Sequence, residues 1–373
     1  MGWSKHHQFG TIHHTPGATH RGYTILTVSG GDQAILVDMD GRVCHRWQYD
    51  AGISYARLLP NGNLLLRAKT TGEVEMVRGL GGATPGLVEL DWDSNVVWEY
   101  WDAMLHHDYA RLPNGNTLLL LWEAMPPKDS AAVKGGYTSE DDPDQMLGDI
   151  VREVSPDGQT LNEWSMWKNL ALDEDIICPL EGRREWTHGN SLSVANGNNL
   201  LVSFRRTDTV GIVSRETGEF TWKWGSGQVS HQHHATQLEN GHVLLFDNGE
   251  HSRRTGAISR VVEVDPETNE IAWEYKGDPP MSFYSSYISG ADRLPNGNTL
   301  ITEGAHGRVI EVTPPGEIVW EYFNPFFFPG RDNATSNAVF RAHRYGPDHT
   351  ALAGRDLDPD RHANLNRLYA GGA

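Results

Sequence analysis

The stretch SGADRLPNGNTLIT, at residues 289–302, belongs to a set of six related segments that decide the fold of this chain. In each copy apolar and polar residues flank a turn, usually Asn-Gly, a pair that reaches positive φ angles at low cost. Each segment therefore predicts a β-hairpin. The other copies are SYARLLPNGNLLLR (54–67), HDYARLPNGNTLLLL (107–121), HGNSLSVANGNNLLVSFR (188–205), HHATQLENGHVLLF (233–246) and the degenerate FRAHRYGPDHTALA (340–353).

A second phrase, which ends in tryptophan, alternates with the first. RVVEVDPETNEIAWEY (260–275) and RVIEVTPPGEIVWEY (308–322) show it clearly, and its six copies end at Trp47, Trp98, Trp164, Trp222, Trp273 and Trp320. One hairpin of each kind makes a four-stranded antiparallel sheet, and such a repeat is typical of a propeller blade. We predict an all-β, six-bladed β-propeller with four antiparallel strands per blade, in which the tryptophans pack between blades.

The order of the two phrases predicts how the repeat closes. The chain begins with a tryptophan hairpin at 35–47 and ends with the turn hairpin at 340–353, so these N- and C-terminal hairpins would together build one blade. Such pairing would leave no unpaired strand edge. We expect a single propeller over residues 22–354, flanked by an N-terminal tail (1–21) and a C-terminal tail (355–373). Insertions near 126–148 and 168–184 leave one rim of the propeller, where they would serve as a lid.

The composition narrows the class of partner. Lys and Arg number 31 against 49 Asp and Glu, which gives a net charge of −18. Such a charge repels phosphate backbones and anionic lipids, so we expect no nucleic-acid and no membrane partner. We expect a cytoplasmic location, or a periplasmic one if a leader has been removed. Two cysteines far apart in the sequence, Cys44 and Cys178, predict free thiols.

Candidate functional residues emerge from the register of the repeat. Seven residues before the turn Asn stand Ser54, His107, Gly189 (with His188 beside it), His233, Ser289 and Phe340. Histidine is not needed by the repeat, because other copies carry Ser. A lone histidine is usually structural, but three at one rim in consecutive blades are expected to converge on the axial funnel of a propeller and form a functional site.

Further polar residues are expected at the same rim. Arg206 follows the second strand of its hairpin and would offer a bidentate donor to an oxyanion. Asn190 shares a strand face with His188, since side chains alternate along a strand. The neighbours His106 and His234 are predicted to be structural or exposed. Glu123 and Asp247 end the second strands of their hairpins, and Gln232 precedes His233.

Three phrases carry a family resemblance: HHDYARLPNGN (106–116), WTHGNSLSV (186–194) and SHQHHATQLENGHVLLFDNG (230–249). They resemble the bacterial arylsulfotransferase family, and the chain is similar to a divergent, cytosolic-type branch of it. The resemblance implies a six-bladed propeller that moves a sulfuryl group from an aryl sulfate to a phenol, without a nucleotide sulfate donor. It further implies a ping-pong reaction through a sulfo-histidine intermediate.

The same resemblance implies roles for individual residues. The Gln-His pair of the family falls on Gln232 and His233, which makes His233 the candidate nucleophile. His188, Asn190 and Arg206 would stabilise the sulfuryl oxygens, and His107 would protonate the leaving phenolate. Gln232, Glu123 and Asp247 complete the expected substrate-binding set, with small aryl sulfates and phenols as partners and no cofactor.

Two other functions are compatible with the same residues. His107, His188 and His233 would hold a divalent metal, with Gln232, Glu123 or Asp247 completing the shell, in a propeller lyase or oxygenase. The third possibility is a propeller that binds a ligand without chemistry. The three histidines in register favour an enzyme over this last alternative.

Overall fold

The computed structural model describes residues 8–69, 75–139, 145–253, 256–329 and 335–369. Its strands in the first half of the chain are β1 (Gly10–His14), β2 (Tyr23–Thr27), β3 (Gln33–Val37), β4 (Val43–Gln48), β5 (Ile53–Leu58), β6 (Leu64–Ala68), β7 (Gly86–Leu90), β8 (Val96–Trp101), β9 (Leu105–Arg111), β10 (Thr117–Ala124), β11 (Gly135–Tyr137), β12 (Leu147–Val154), β13 (Thr160–Ser165) and β14 (Ile177–Gly182). Those in the second half are β15 (Gly189–Ala195), β16 (Asn199–Phe204), β17 (Thr209–Val213), β18 (Phe220–Trp224), β19 (His233–Gln237), β20 (Val243–Asp247), β21 (Arg260–Val264), β22 (Ile271–Lys276), β23 (Gly290–Arg293), β24 (Thr299–Glu303), β25 (Arg308–Val312), β26 (Ile318–Phe323), β27 (Phe328–Pro329), β28 (Thr335–Ser336) and β29 (His343–Tyr345). The α-helices are α1 (Pro127–Ala132) and α2 (Ala363–Tyr369).

The chain divides into two compact units. Unit 1 comprises Met1–Thr71, Gly86–Glu99 and Ile288–Ala373, and unit 2 comprises Gly72–Pro85 and Tyr100–Tyr287. Among the described residues, unit 1 contains the sheets β29-β2-β3-β4, β5-β6-β7-β8 and β23-β24-β25-β26, the last with β1 added at its edge. Unit 2 contains β9-β10-β12-β13, β15-β16-β17-β18 and β19-β20-β21-β22. These antiparallel sheets are the blades of a six-bladed β-propeller, which confirms the predicted fold class.

The two repeated phrases explain the blade. Gly62, Gly115 and Gly297 of the Asn-Gly turns have φ angles of 86°, 88° and 88°, as the hairpin requires. The second strand of each hairpin lies inside the sheet with both faces covered, so all five residues of β6 and all five of β24 are buried. Burial on both faces accounts for the runs of Leu and Ile in these strands.

Three tryptophans of the second phrase join one blade to the next. The indole N–H of Trp164 donates to the carbonyl of Arg215 at 3.0 Å, that of Trp222 to Asn269 Oδ1 at 2.9 Å, and that of Trp320 to the carbonyl of Met39 at 2.9 Å. Each acceptor lies in an outer turn of the following blade of the same unit. For these three the packing between blades that the sequence predicts is observed directly.

The blade that contains both termini differs from the two-plus-two pairing expected. Its inner strand is β29, but the second strand is β2, so the N-terminal segment supplies three strands and the C-terminal segment one. Gly346 and Pro347 follow β29, and proline has no N–H to offer a strand ladder. The chain then forms a 3₁₀ turn at Thr350–Leu352, where Leu352 is buried in the core of this blade and its neighbour.

Both segments expected as tails contribute structure instead. β1 lies within 1–21 and pairs with β26, because an outermost strand offers an open row of backbone groups. In the C-terminal segment Asn366 of α2 accepts a 2.7 Å bond from the backbone N–H of Val43 and donates to its carbonyl at 3.2 Å, which holds the helix against β4.

The two insertions pair with each other. β11 of the first runs parallel to β14 of the second, while residues 140–144 lie outside the described part of the chain. Lys134 of the first insertion pairs with Asp173 of the second, and the side chain of Tyr137 is exposed. No helix in the described ranges has the length and apolar character needed to cross a bilayer.

Candidate functional site

The inner strands of the three blades in unit 2 lie side by side. The N–H of Leu192 in β15 donates to Asp108 Oδ2 of β9 at 3.0 Å, and the N–H of Ala235 in β19 donates to Ser191 Oγ of β15 at 3.0 Å. This arrangement places the histidine-bearing starts of β9, β15 and β19 on neighbouring strands. The rings of His107 and His188 meet with their centroids 4.5 Å apart.

A backbone irregularity marks each of these strand starts. His107, His188, His231 and His234 have left-handed φ angles of 46°, 54°, 58° and 53°. Such a conformation costs a non-glycine residue on the order of 1–3 kcal/mol and needs support from its surroundings. Ser289 holds the equivalent position in a blade of unit 1 with φ 87°, so the irregularity belongs to the repeat, and the histidine is what distinguishes unit 2.

His107 is supported by a buried neighbour. Its Nδ1 lies 2.8 Å from Nδ1 of His106, which is fully buried and stacks on the indole of Trp122 at 3.9 Å. His106 Nε2 lies 3.1 Å from Asp149 Oδ1, within ion-pair distance although out of line for a hydrogen bond. His106 is thus the structural residue that the sequence predicts, and it also orients the ring of His107.

His188 is held by a carboxylate that sequence reasoning did not identify. Glu185 Oε1 lies 2.7 Å from His188 Nδ1 and 3.2 Å from a terminal guanidinium nitrogen of Arg206. Burial favours the neutral acid, but the charges of His188 and Arg206 outweigh it and lower the pKa of Glu185 to about 2. The carboxylate is therefore ionised and fixes a proton on His188 Nδ1. The Glu-x-x-His spacing in EWTH was the signal in the sequence.

Arg206 was expected to bind an oxyanion of the substrate, but its guanidinium binds protein groups. Its guanidinium donates to the carbonyls of Gly182 at 2.7 Å and Glu185 at 3.1 Å, besides its contact with the Glu185 side chain. The neighbouring Arg205 donates to Glu181 at 2.7 Å. Both arginines thus bind the second insertion, whose acidic and carbonyl groups attract them, and Arg206 positions Glu185.

His233 has a defined tautomer. Its Nδ1 lies 3.0 Å from the carbonyl oxygen of His231 and 2.6 Å from Asn248 Oδ1. Asn248 Nδ2 donates to the carbonyl of Ser285 at 2.8 Å, which orients the amide so that its oxygen faces the histidine. Because both partners of Nδ1 accept, Nδ1 carries the proton and the lone pair lies on Nε2. A neutral imidazole acts as a nucleophile through the nitrogen that carries the lone pair.

The two amides predicted to bind substrate instead join the strands. Asn190 Nδ2 donates to the carbonyl of Gln232 at 2.7 Å. Gln232 Nε2 lies 3.0 Å from Ser203 Oγ, 3.1 Å from the carbonyl of Phe204 and 2.9 Å from that of Thr209. Both side chains are fully buried, and a buried amide needs hydrogen-bond partners, which backbone carbonyls provide here.

Glu123 and Asp247, the two carboxylates predicted to bind substrate, also contact other protein groups. Glu123 accepts from the indole of Trp167 at 2.5 Å and from the hydroxyl of Ser165, at the outer side of its blade. Asp247 accepts from the backbone N–H of Ser230 at 2.8 Å and from Arg260 at 2.8 Å. Because successive side chains face opposite sides of a strand, it is Asn248 rather than Asp247 that reaches His233.

A glycine-rich loop covers the first histidine. The carbonyl of Gly82 accepts from the N–H of His107 at 3.1 Å, and the φ of Gly82 is 78°. A Cβ atom at Gly82 would lie closer than 3.0 Å to three atoms of the His107 ring. The loop therefore needs glycine for its close approach, and GLGGATPG at residues 79–86 was the available signal.

Unit 2 also contains a cavity of about 500 Å³. Its lining includes Cys178, Asp208, Asp247, His251 and Arg253. Burial raises the pKa of Asp208 to about 7, so this carboxyl is partly protonated near neutral pH. The adjacent His231 is fully buried, and burial lowers its pKa to about 4, which keeps the ring neutral.

The fold and the site define a β-propeller with a buried cluster of oriented histidines. The Arylsulfotransferase (ASST) profile matches residues 102–324, more than half of the chain. The protein belongs to this family, as the sequence motifs predicted, and the family supports aryl sulfotransferase activity in general.

The propeller has counterparts among solved structures. A protein of unknown function from Bacteroides caccae is 13% identical, with a TM-score of 0.56, and the alignment covers 87% of this chain and 98% of that one. A streptogramin B lyase is 13% identical over 91% of this chain and 93% of its own, with a TM-score of 0.48. A catalytically inactive virginiamycin B lyase from Staphylococcus aureus is 11% identical over 85% and 88%, with a TM-score of 0.46. The first likeness supports the fold alone, and no curated protein matches the chain significantly.

Proposed function

We propose that this protein transfers a sulfuryl group from an aryl sulfate ester to a phenolic acceptor, with His233 as the nucleophile. The observation that carries the proposal is the fixed tautomer of His233. Its Nδ1 faces two acceptors, the His231 carbonyl and Asn248 Oδ1 at 3.0 and 2.6 Å, so the lone pair is on Nε2. Family membership supplies the class of reaction.

The proposed reaction has two balanced steps. In the first, His233 Nε2 attacks sulfur, an N–S bond forms, the S–O bond to the aryl group breaks, and the phenolate leaves with both electrons of that bond. In the second, the acceptor oxygen attacks sulfur, the N–S bond breaks and Nε2 regains its lone pair. Covalent catalysis of this kind divides one difficult transfer into two easier ones.

The His107–His188 pair on the neighbouring strands would handle the protons. With the proton of His106 on the nitrogen that faces Asp149, His106 Nδ1 accepts from His107 Nδ1–H at 2.8 Å. In the first step the doubly protonated ring of His107 would give its Nε2 proton to the leaving phenolate, and in the second step Nε2 would take a proton from the acceptor phenol. A positioned acid–base group contributes about 10²–10⁴-fold to a rate.

His188 would bind a sulfuryl oxygen. Its Nδ1 lies 2.7 Å from Glu185 Oε1, which orients the ring. In the doubly protonated ring, Nε2–H would donate to the developing negative charge. Removing one such donor costs about 3–4 kcal/mol in comparable enzymes. In this arrangement Arg206 is a positioning residue, because it acts on substrate through Glu185.

The test uses the full chain with a chromogenic aryl sulfate and phenol as acceptor. We expect release of the chromogenic phenol that depends on acceptor, and a protein mass increment of one SO₃ group when the acceptor is withheld. His233→Ala should abolish both, while His242→Ala, a histidine of the same blade that pairs with Glu263, is the matched control.

Two outcomes would contradict the proposal. Absence of turnover with every acceptor in a folded wild-type protein would argue against sulfotransfer. An SO₃ adduct that persists in His233→Ala would assign the nucleophile to another residue.

A further inference from the structure

We propose that Cys178, His231 and His251 bind a transition-metal ion of the Zn²⁺ class at a site distinct from the sulfotransfer nucleophile. Within the described residues they form the one group of three or more Cys, His, Asp or Glu side chains whose ligand atoms all lie within 4.8 Å of one another. His107, His188 and His233, the set expected from the sequence for a metal, do not form that group.

The distances fit tetrahedral coordination. With a Zn–S bond of about 2.3 Å and a Zn–N bond of about 2.05 Å at a tetrahedral angle, sulfur and nitrogen lie about 3.6 Å apart. Cys178 Sγ lies 3.7 Å from His251 Nδ1. The rings of His231 and His251 meet edge to face with centroids 4.7 Å apart, so two nitrogens can face one point without a clash between rings.

Glu181 lies beside the two histidines, outside the group of three. Its Oε1 lies 3.0 Å from His231 Nε2 and 3.7 Å from His251 Nδ1, and it accepts from Arg205 at 2.7 Å. Cys178 and Glu181 both belong to β14, three residues apart, so this strand of the insertion provides one ligand and a neighbouring negative charge.

The second ring nitrogen of each histidine faces a carboxylate. His231 Nδ1 lies 3.5 Å from Asp208 Oδ1, and His251 Nε2 lies 3.5 Å from Glu250 Oε1. Histidines that bind metals usually donate their other ring N–H to a carboxylate or carbonyl, which fixes the tautomer. Both rings are thus arranged to direct one lone pair toward the proposed ion.

Thiolate with imidazole selects zinc, cobalt or copper over magnesium and calcium. The ligands come from β14, from the segment before β19 and from the segment after β20. A bound ion would therefore attach the second insertion to the third of the unit 2 blades. The cavity of about 500 Å³, which Cys178 and His251 line, gives an ion a path to the site.

The test removes metal from the purified full chain with a chelator and then titrates it with Co²⁺ and Zn²⁺. We expect one equivalent of Co²⁺ to give the absorption of tetrahedral cobalt together with a thiolate-to-cobalt charge-transfer band, and Zn²⁺ to displace it. Zn²⁺ should also raise the thermal unfolding temperature.

Two variants and one control assign the site. Cys178→Ser should abolish the charge-transfer band, and His251→Gln should weaken Co²⁺ binding at least 10-fold. Cys44→Ser, which removes the other free thiol, should retain both the band and the affinity. Circular dichroism confirms that each variant is folded.

The proposal is overturned if the folded wild-type protein binds no Co²⁺ or Zn²⁺ at micromolar concentration. It is equally overturned if Cys178→Ser keeps the charge-transfer band and stoichiometry. Binding that disappears in His233→Ala but survives in His251→Gln would place the ion at the other histidine cluster.

Discussion

Gly82→Ala is the substitution that tests most directly whether His107 is held in a working position. The added Cβ would meet three atoms of the His107 ring at less than 3.0 Å, and φ at this residue is 78°. The left-handed backbone conformation should lower the free energy of unfolding of the alanine variant by about 1–2 kcal/mol, and overpacking against the His107 ring should lower it by about 1–3 kcal/mol more. To reach ordinary contact of about 3.5 Å the ring and the loop must separate by about 1 Å. A misplacement of that size lowers turnover by about 100-fold.

Gly241→Ala is the matched control. Gly241 has a φ of 89° in a turn of the same unit, and a Cβ there would meet nothing within 4 Å. We expect the free energy of unfolding of this variant to fall only by the backbone cost of about 1–2 kcal/mol, and its turnover to stay at the wild-type value. Urea denaturation followed by tryptophan fluorescence measures stability, and release of a chromogenic phenol measures turnover. Equal stability and equal turnover in the two variants would show that Gly82 does not hold His107 in place.

Two further predictions concern charge. Glu185→Gln removes the carboxylate that orients His188, so we expect turnover to fall by about 100-fold; an unchanged rate in a folded variant would count against the assigned role. His45 stacks on Trp92, and burial lowers its pKa to about 4. Between pH ~6.5 and pH 4 the unfolded chain therefore binds a proton at His45 that the folded protein does not bind. The free energy of unfolding should keep its full value above pH ~6.5 and fall by about 1–2 kcal/mol toward pH 4, a figure reduced for the partial exposure of His45. The urea midpoint of His45→Gln should not show this fall.

The repeat made most of the fold predictable. An Asn-Gly turn and a tryptophan hairpin specify local structure wherever they occur, because turn geometry and strand alternation act over a few residues. The terminal segments carry no such repeat. That β1 pairs with β26, and that β2 takes the second place in its blade, depends on which strand edges remain open after the blades form.

The candidate site was only partly predictable. The rings of His107 and His188 lie next to each other at the starts of adjacent inner strands. Side-chain direction could not be read from alternation, because left-handed residues such as His188 and His231 interrupt the strands at the point of interest. Arg206 and Gln232 consequently bind protein groups in place of the roles expected for them.

The sequence by itself determined the blade, its count and the strand starts on which histidines gather, since each follows from a short pattern repeated along the chain. Only the tertiary structure decided which partners those histidines have. Glu185, Asn248 and Glu181 reach them from loops and an insertion, and such contacts depend on how distant segments pack. Tautomer and charge in a buried cluster are set by these partners, because electrostatic interactions are stronger in the low-dielectric interior than in water.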